Sequence, residues 1–409
     1  MGARRSPTNV RPTSYAGDVT TSEPIAVEPD TTRILFYGAR KLDANGQVDD
    51  FWMLVQGDSI MATGVGPQHP RSDRTVDVAG RWLVPGFIDL HSHGGGGHSH
   101  EETVDDIAVA LATHRAHGTT RSVLSLVANP MNQLIASLGV IADLAHRDPL
   151  VLGSHLEGPF LSRDKHGAHN PAYLREPFTY DVEELIGAAR GTLRHITVAP
   201  ELPNALEAID VLVENEVTVS IGHTEATFEQ TTEAFDRGAR ILTHAFNAMP
   251  GIHHRAPGPV VAAFDDERVT IELVLDGVHV HPAVAAMTFA AAPGRVALIT
   301  DAMAAAGASD GDYRLGSLNV SVREGRALLS GTSTIAGSTL TQDVALRCAV
   351  ESTGIPARDA VAALTLVPAR ALGLERRHGL LSPGFAADAV LLDHDWRVES
   401  VWAAGALIL

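Results

Sequence analysis

The sequence predicts a (β/α)8 barrel, TIM-like in layout, carrying a small β-sandwich domain built from both chain ends. Three observations lead there. In the middle of the 409-residue chain, eight short apolar runs recur with helical segments between them. At both ends the pattern changes to short strands broken by turns. The ends of the apolar runs carry histidines and carboxylates, and barrels of this kind place their chemistry where strands give way to loops.

Residues 1–29 are rich in Pro, Ser, Thr and Glu and show no periodicity. They bury too little apolar surface to order themselves, so a disordered extension or a wrong start site is expected. Arg4 and Arg5 are followed by no apolar stretch, which argues against an export signal. Runs 33–37, 51–55 and 59–62 are separated by Asn45-Gly46 and Gln56-Gly57-Asp58, residues that favour hairpin turns. Runs 379–384, 388–393 and 398–402 have the same character, so residues 30–84 and 378–409 are assigned to one β-sandwich. Residues 85–377 form the expected barrel. Its strands are 83–90 (overlapping the boundary), 120–127, 151–155, 196–199, 217–221, 241–243, 269–275 and 296–299. Helices are signalled at 104–117, after Thr103, and at 204–215, after Pro203. Residues 303–338 read as a hairpin insertion with turns at Gly311-Asp312 and Glu324-Gly325. It is either a wall or lid of the site or a plain surface hairpin.

Composition narrows the class. An apolar content of 45% is ordinary for a globular protein. No apolar run reaches the roughly 18–20 residues of a membrane span, so no membrane partner is expected. A formal charge of −18 argues against nucleic acid. The single cysteine, Cys348, excludes an internal disulfide and fits a reducing, cytoplasmic setting. It lies in the apolar helical run 343–350 and is expected to be a buried structural thiol.

The strand ends carry the candidate chemistry. His91 and His93 are two apart in a strand and therefore face the same way. The third end gives Ser154-His155-Leu156-Glu157, the fifth Gly222-His223-Thr224 and the sixth Thr243-His244-Ala245-Phe246-Asn247-Ala248-Met249. The seventh gives Asp276-Gly277-Val278-His279 and the eighth Thr300-Asp301-Ala302. Histidine and carboxylate suit zinc and similar divalent ions. His91, His93, Glu157, His223 and His244 could hold one ion or a pair, with two expected. Related barrel hydrolases bridge two metals with a carboxylated lysine, but neither Lys41 nor Lys165 sits at a strand end, which leaves Glu157 as the bridge. Asp301 suits proton transfer to and from an attacking water and a leaving group. His98, His100, His114, His117 and His146 have no such placement and are expected at the surface or in loops.

These stretches, with Pro85-Gly86-Phe87-Ile88-Asp89, His155-Leu156-Glu157-Gly158-Pro159-Phe160, Lys165-His166-Gly167-Ala168-His169-Asn170-Pro171 and Asn247-Ala248-Met249-Pro250, resemble the amidohydrolase superfamily and, within it, the N-acetylglucosamine-6-phosphate deacetylase family. The resemblance covers roughly residues 32–409. It implies a metal-dependent hydrolase barrel that cleaves the acetamide of N-acetylglucosamine 6-phosphate, giving glucosamine 6-phosphate and acetate, in amino-sugar catabolism or cell-wall recycling. It makes Glu157, His223 and His244 the principal metal ligands and Asp301 the catalytic acid/base. Asn247 and Ala248 resemble the phosphate- and sugar-binding loop, and His169 and His279 resemble substrate contacts. Arg255 resembles a phosphate contact donated across a homodimer interface. Arg163 is a weaker candidate cation. Some family members lack the paired histidines and hold one metal, so His91 and His93 point to two. The loop at 163–170 is expected to close over the substrate.

Overall fold

The computed structural model describes residues 32–409; the extension read at 1–29 lies outside them. Eight parallel strands follow one another in chain order around the barrel: Phe87–Ser92, Thr119–Val127, Val151–Glu157, Leu193–Val198, Thr218–Ile221, Ile241–Leu242, Thr270–Val274 and Val296–Ile299. All eight runs read from the sequence are here. Helices between them cover the outside. The helix Val104–Ala116 starts where Thr103 and Asp106 cap each other reciprocally, which satisfies donors that a helix start leaves open. The helix Ala205–Glu214 presents Ala208, Ile209 and Leu212 to the core.

The seam between the first and eighth strands positions the site. No ladder joins the two strands directly. Instead the backbone just past the eighth strand turns in. Asp301 N–H donates to the His91 carbonyl (2.8 Å) and His93 N–H donates to the Ala302 carbonyl (2.7 Å). Thr300 Oγ1–H donates to Asp89 Oδ2 at 2.6 Å. The seam therefore sets Asp301 beside His91 and His93.

Strands from both chain ends form one eight-stranded sheet, in which Trp82–Pro85 pairs with Ala389–Leu392 and with Arg33–Asp43. Ile34, Phe36, Met53, Leu83, Leu391 and Trp402 make its core. Burial of a side chain such as Phe36 is worth about 1.5–3 kcal/mol. Arg121, on the second barrel strand, ties the sheet to the barrel through Asp388, with Nε and Nη2 at 2.7 and 2.9 Å from its carboxylate oxygens. Lys41 belongs to this sheet, opposite Leu83, and pairs with Asp43 at 2.7 Å; it is not at the end of a barrel strand.

Four local readings change. The run 83–90 is two strands, because the chain leaves the small sheet at Pro85 and enters the barrel at Phe87. Gly86 makes the crossing, where a Cβ would stand 2.2 Å from Thr120 Oγ1. Residues 379–384 form turns and no strand: Gly379 has φ +95 and packs against the Leu366 backbone. Gly311-Asp312 opens a strand where a turn was read. The insertion is a three-stranded antiparallel sheet, Gly311–Leu315, Leu318–Arg323 and Arg326–Leu329. Cys348 is half-buried at the start of a π-helical turn, Cys348–Ser352, and burial pushes its thiol pKa up.

Among the described residues no helix is long and apolar enough to cross a membrane.

Candidate metal centre

Glu157 ends the third barrel strand and is the hub. Its Oε1 lies 2.8 Å from His244 Nε2 and 3.0 Å from His223 Nε2. His93 Nε2 is 3.1 Å from Oε2, and His91 Nε2 is 3.5 Å from Oε1. Asp301 Oδ1 stands 3.3 Å from His93 Nε2 and 3.6 Å from His91 Nε2. Two ligand sets emerge that share Glu157: His91, His93, Glu157 and Asp301, and Glu157, His223 and His244. All six side chains are buried.

The chain brings them together by turning sharply at strand ends. His223, His244, Ala248 and Asp301 have φ of 47, 24, 49 and 48. Side chains with a Cβ rarely adopt this left-handed conformation, which costs on the order of 1 kcal/mol or more each. The strain turns these residues inward just past the strands.

A divalent cation fits this donor set. The Nε2 atoms of His91 and His93 face each other at 3.1 Å, as do those of His223 and His244. Two imidazole nitrogens at that distance must share a proton or a metal ion, and a carboxylate stands against each pair. Imidazole and carboxylate donors suit zinc and its neighbours. The electrostatics agree. Burial works against protonated imidazole, yet Asp301 and Glu157 push the His93 pKa up to about 9. Burial likewise opposes an ionised Asp301, but His91 and His93 hold its carboxyl at about 2.

The supporting shell was partly invisible in the sequence. Glu272 lies 3.4 Å from His91 Nδ1 and accepts at 3.4 Å from His244 N–H. Its only clue was an acid inside the apolar run Ile271-Glu272-Leu273. His155 is buried below the centre between Ser125 and Thr197, with its ring stacked 3.8 Å from His195. Burial drives its pKa well below the ordinary value, so it stays a neutral strut. His223 Nδ1–H donates to the Lys165 carbonyl at 2.8 Å, leaving Nε2 free to face the centre.

The cluster opens into a cavity of about 350 Å³. His169, Asn247, Ala248 and His279 line it, and Ser333 to Ile335 of the insertion form part of its wall. A larger cavity of about 630 Å³, beside Ala286 and Arg370, has no histidine in its lining and is not the chemical site. His169 Nδ1 accepts the Ala128 N–H at 3.2 Å, so its proton sits on Nε2, 3.3 Å from Glu157 Oε2. Burial takes the His169 pKa to about 4, so the ring is a neutral donor. Arg255 lies outside the cavity, with Nη1 2.6 Å from His254 Nε2. Arg163 also lies outside the cavity lining, its guanidinium donating to the Pro171 and Leu174 carbonyls. His100 sits in a turn, within the surface-or-loop expectation, but is buried; His114 lies in the helix Val104–Ala116 and is buried, contrary to that expectation. They brace the loop after the first strand through the Ser92 and Gly94 carbonyls, a role with no signal in local sequence.

Residues 82–408 match the sequence pattern of the amidohydrolase family. The chain belongs to the amidohydrolase family. Within it, the chain is 38% identical to an N-acetylgalactosamine-6-phosphate deacetylase of Escherichia coli O157:H7, over 90% of this chain and 97% of that protein. It is 36% identical to the human N-acetylglucosamine-6-phosphate deacetylase, over 82% of this chain and 86% of that one. The crystal structure of N-acetyl-D-glucosamine-6-phosphate deacetylase from Mycobacterium smegmatis superposes with a TM-score of 0.87 at 42% identity, covering 92% of this chain and 100% of that one. Enzymes of this amidohydrolase family depend on metal, and the Glu157 cluster is where this chain is able to bind it.

Proposed function

We propose that this member of the family hydrolyses the acetamide of N-acetylglucosamine 6-phosphate to glucosamine 6-phosphate and acetate. The observation that carries the reading is Glu157 shared by two ligand sets, with Asp301 beside them at the cavity floor. The names of relatives at 36–42% identity point to the same class of substrate.

In this reading His91, His93, Glu157, His223 and His244 would hold two zinc-type ions, Glu157 being the residue common to both ligand sets. Such ions supply Lewis acidity toward the acetamide carbonyl and lower the pKa of water. Asp301 Oδ1 takes a proton from the attacking water and returns it to the leaving nitrogen. Asp301 Oδ1 stands 3.3 Å from His93 Nε2, at the edge of the metal cluster and on the cavity wall, where a proton acceptor is needed. His169, neutral and carrying its proton on Nε2, orients the substrate by donating a hydrogen bond. His279, fixed by Asp276 at 2.7 Å, lines the cavity as a second polar contact. Asn247 donates to the His244 and Ala245 carbonyls and so shapes the turn that presents Ala248 to the sugar phosphate. Arg255, which lies outside its own cavity, would reach the phosphate of a second subunit in a homodimer. The enzyme works in the cytoplasm, where the free thiol of Cys348 stays reduced.

The E. coli relative named for the galactosamine epimer gives a second reading of the sugar. The test measures acetate release from both N-acetylhexosamine 6-phosphates by wild type and Asp301→Asn, with metal content determined on each. A metal-loaded variant with activity down about 10²–10⁴-fold fits the assignment of Asp301. A metal-loaded wild type inactive on both sugars sinks the deacetylase reading. Preference for the galactosamine epimer moves the substrate to the second reading.

A further inference from the structure

A sugar phosphate is a dianion, and the chain it must enter carries a formal charge of −18. The cavity lining adds Asp164 to that charge, apart from the Glu157 and Asp301 of the metal cluster. Bringing the phosphate in needs a cation at the wall. Among the described residues, Lys165 is the only lysine or arginine lining the cavity.

Its placement is specific. The Lys165 carbonyl accepts from His223 Nδ1–H at 2.8 Å, and its N–H donates to the Ser162 carbonyl at 3.2 Å. The backbone is therefore fixed against a residue of the metal cluster. Two residues on, Gly167 packs so closely that a Cβ would stand 3.1 Å from His223 Cε1 and 3.9 Å from Ala248 Cβ. The loop thus abuts the Asn247–Ala248 turn, where the phosphate is expected. The side chain points the same way. Lys165 Nζ lies 3.4 Å from Glu225 Oε1, and Glu225 follows Thr224, whose N–H donates to the Ala248 carbonyl at 3.1 Å. Glu225 is itself anchored by its N–H to Glu201 Oε1 at 2.6 Å.

The ion pair is a weak one. The side chains of Lys165 and Glu225 are 28% and 48% exposed, so water screens their attraction. A dianion with several acceptor oxygens competes for such an ammonium on favourable terms.

We propose that Lys165 is a phosphate-binding residue supplied by the same subunit as the cavity, held ready by Glu225 and transferred to the substrate phosphate on binding. This rests on the phosphosugar reading and names the cation that serves it. Lys165 discriminates between phosphorylated and free sugar, and Glu225 sets how readily the ammonium is released.

The experiment uses the full chain, wild type, Lys165→Ala, Lys165→Arg and Glu225→Gln. The readout is the ratio of kcat/KM for N-acetylglucosamine 6-phosphate to that for N-acetylglucosamine, with metal content measured in parallel. Lys165→Ala is expected to lower the ratio by about tenfold to a hundredfold, the range for losing one charge-assisted hydrogen bond. The loss should appear in KM more than in kcat. Lys165→Arg should recover part of it, and Glu225→Gln should raise the ratio. A Lys165→Ala ratio equal to that of wild type, in a variant with full metal, overturns the proposal. So does an Arg255→Ala variant that alone abolishes the discrimination. Calorimetric binding of glucosamine 6-phosphate and glucosamine to the same proteins keeps the two readings apart. If no acetate is released from either sugar, a phosphate preference lost in Lys165→Ala still supports the cation. A phosphate preference kept in Lys165→Ala refutes it whatever the catalysis.

Discussion

Replacing Glu157 with Gln tests the centre at its hub. The substitution keeps volume and shape and removes one negative charge. Four imidazole nitrogens of the two ligand sets lie 2.8–3.5 Å from this carboxylate. At an effective dielectric of about 20, a unit charge about 3 Å away is worth on the order of 5 kcal/mol. Half of that already corresponds to about a hundredfold in affinity. Because both sets share Glu157, both metal equivalents are expected to be lost together. His93→Asn touches only one set and should leave the other occupied. The assay is metal stoichiometry by elemental mass spectrometry after dialysis at fixed free zinc, with circular dichroism to check folding and acetate release alongside. Folded Glu157→Gln that keeps the wild-type stoichiometry would refute the shared-carboxylate argument. Loss of one equivalent in Glu157→Gln and of both in His93→Asn would reverse the roles of the two residues.

Three other predictions concern the scaffold. Arg121→Ala leaves the Asp388 carboxylate buried without its bidentate partner, and should destabilise the protein by about 3–5 kcal/mol in denaturant unfolding; an unchanged midpoint would show that the sheet and barrel do not depend on this pair. Asp343 is buried, but His117, Thr341 and Arg347 hold its pKa at about 2. A depressed carboxyl stabilises the fold above its unfolded value near 4, and that contribution fades as pH falls toward 2, so Asp343→Asn should cost about 2 kcal/mol at pH 7. The gap to wild type should narrow below about pH 4, and a gap that stays constant would point to a cause other than the carboxylate charge. Gly86→Ala puts a Cβ against the Thr120 side chain and should cost about 1–3 kcal/mol, read as a lowered melting temperature; wild-type stability would mean that the crossing has room.

The order of barrel strands, their terminal histidines and Asp301 were all legible in the sequence. Each rests on a local rule: apolar runs of strand length, period-two facing, and polar residues where a run ends. Because parallel barrel strands follow chain order, reading the runs was enough to place His91, Glu157, His223, His244 and Asp301 at one mouth. What local pattern does not carry is contact between distant residues. Glu272 looked like one acid in an apolar strand, and only barrel closure sets it behind His91 and His244. His100 and His114 were expected at the surface or in loops, and only the path of the chain after the first strand buries them. The division of run 83–90 at Gly86 is a choice between two sheets, made by the strands available to pair on each side. Lys165 is the sharpest case. The sequence supplied a scarce lysine with no strand end to serve, while the tertiary structure placed its carbonyl on His223, its ammonium beside Glu225 and the residue in the cavity lining. Which chemical groups are present, and which strand ends carry them, can be read segment by segment along the chain. Which of them share a proton, a charge or a wall follows from distances across the closed barrel, which no local pattern encodes.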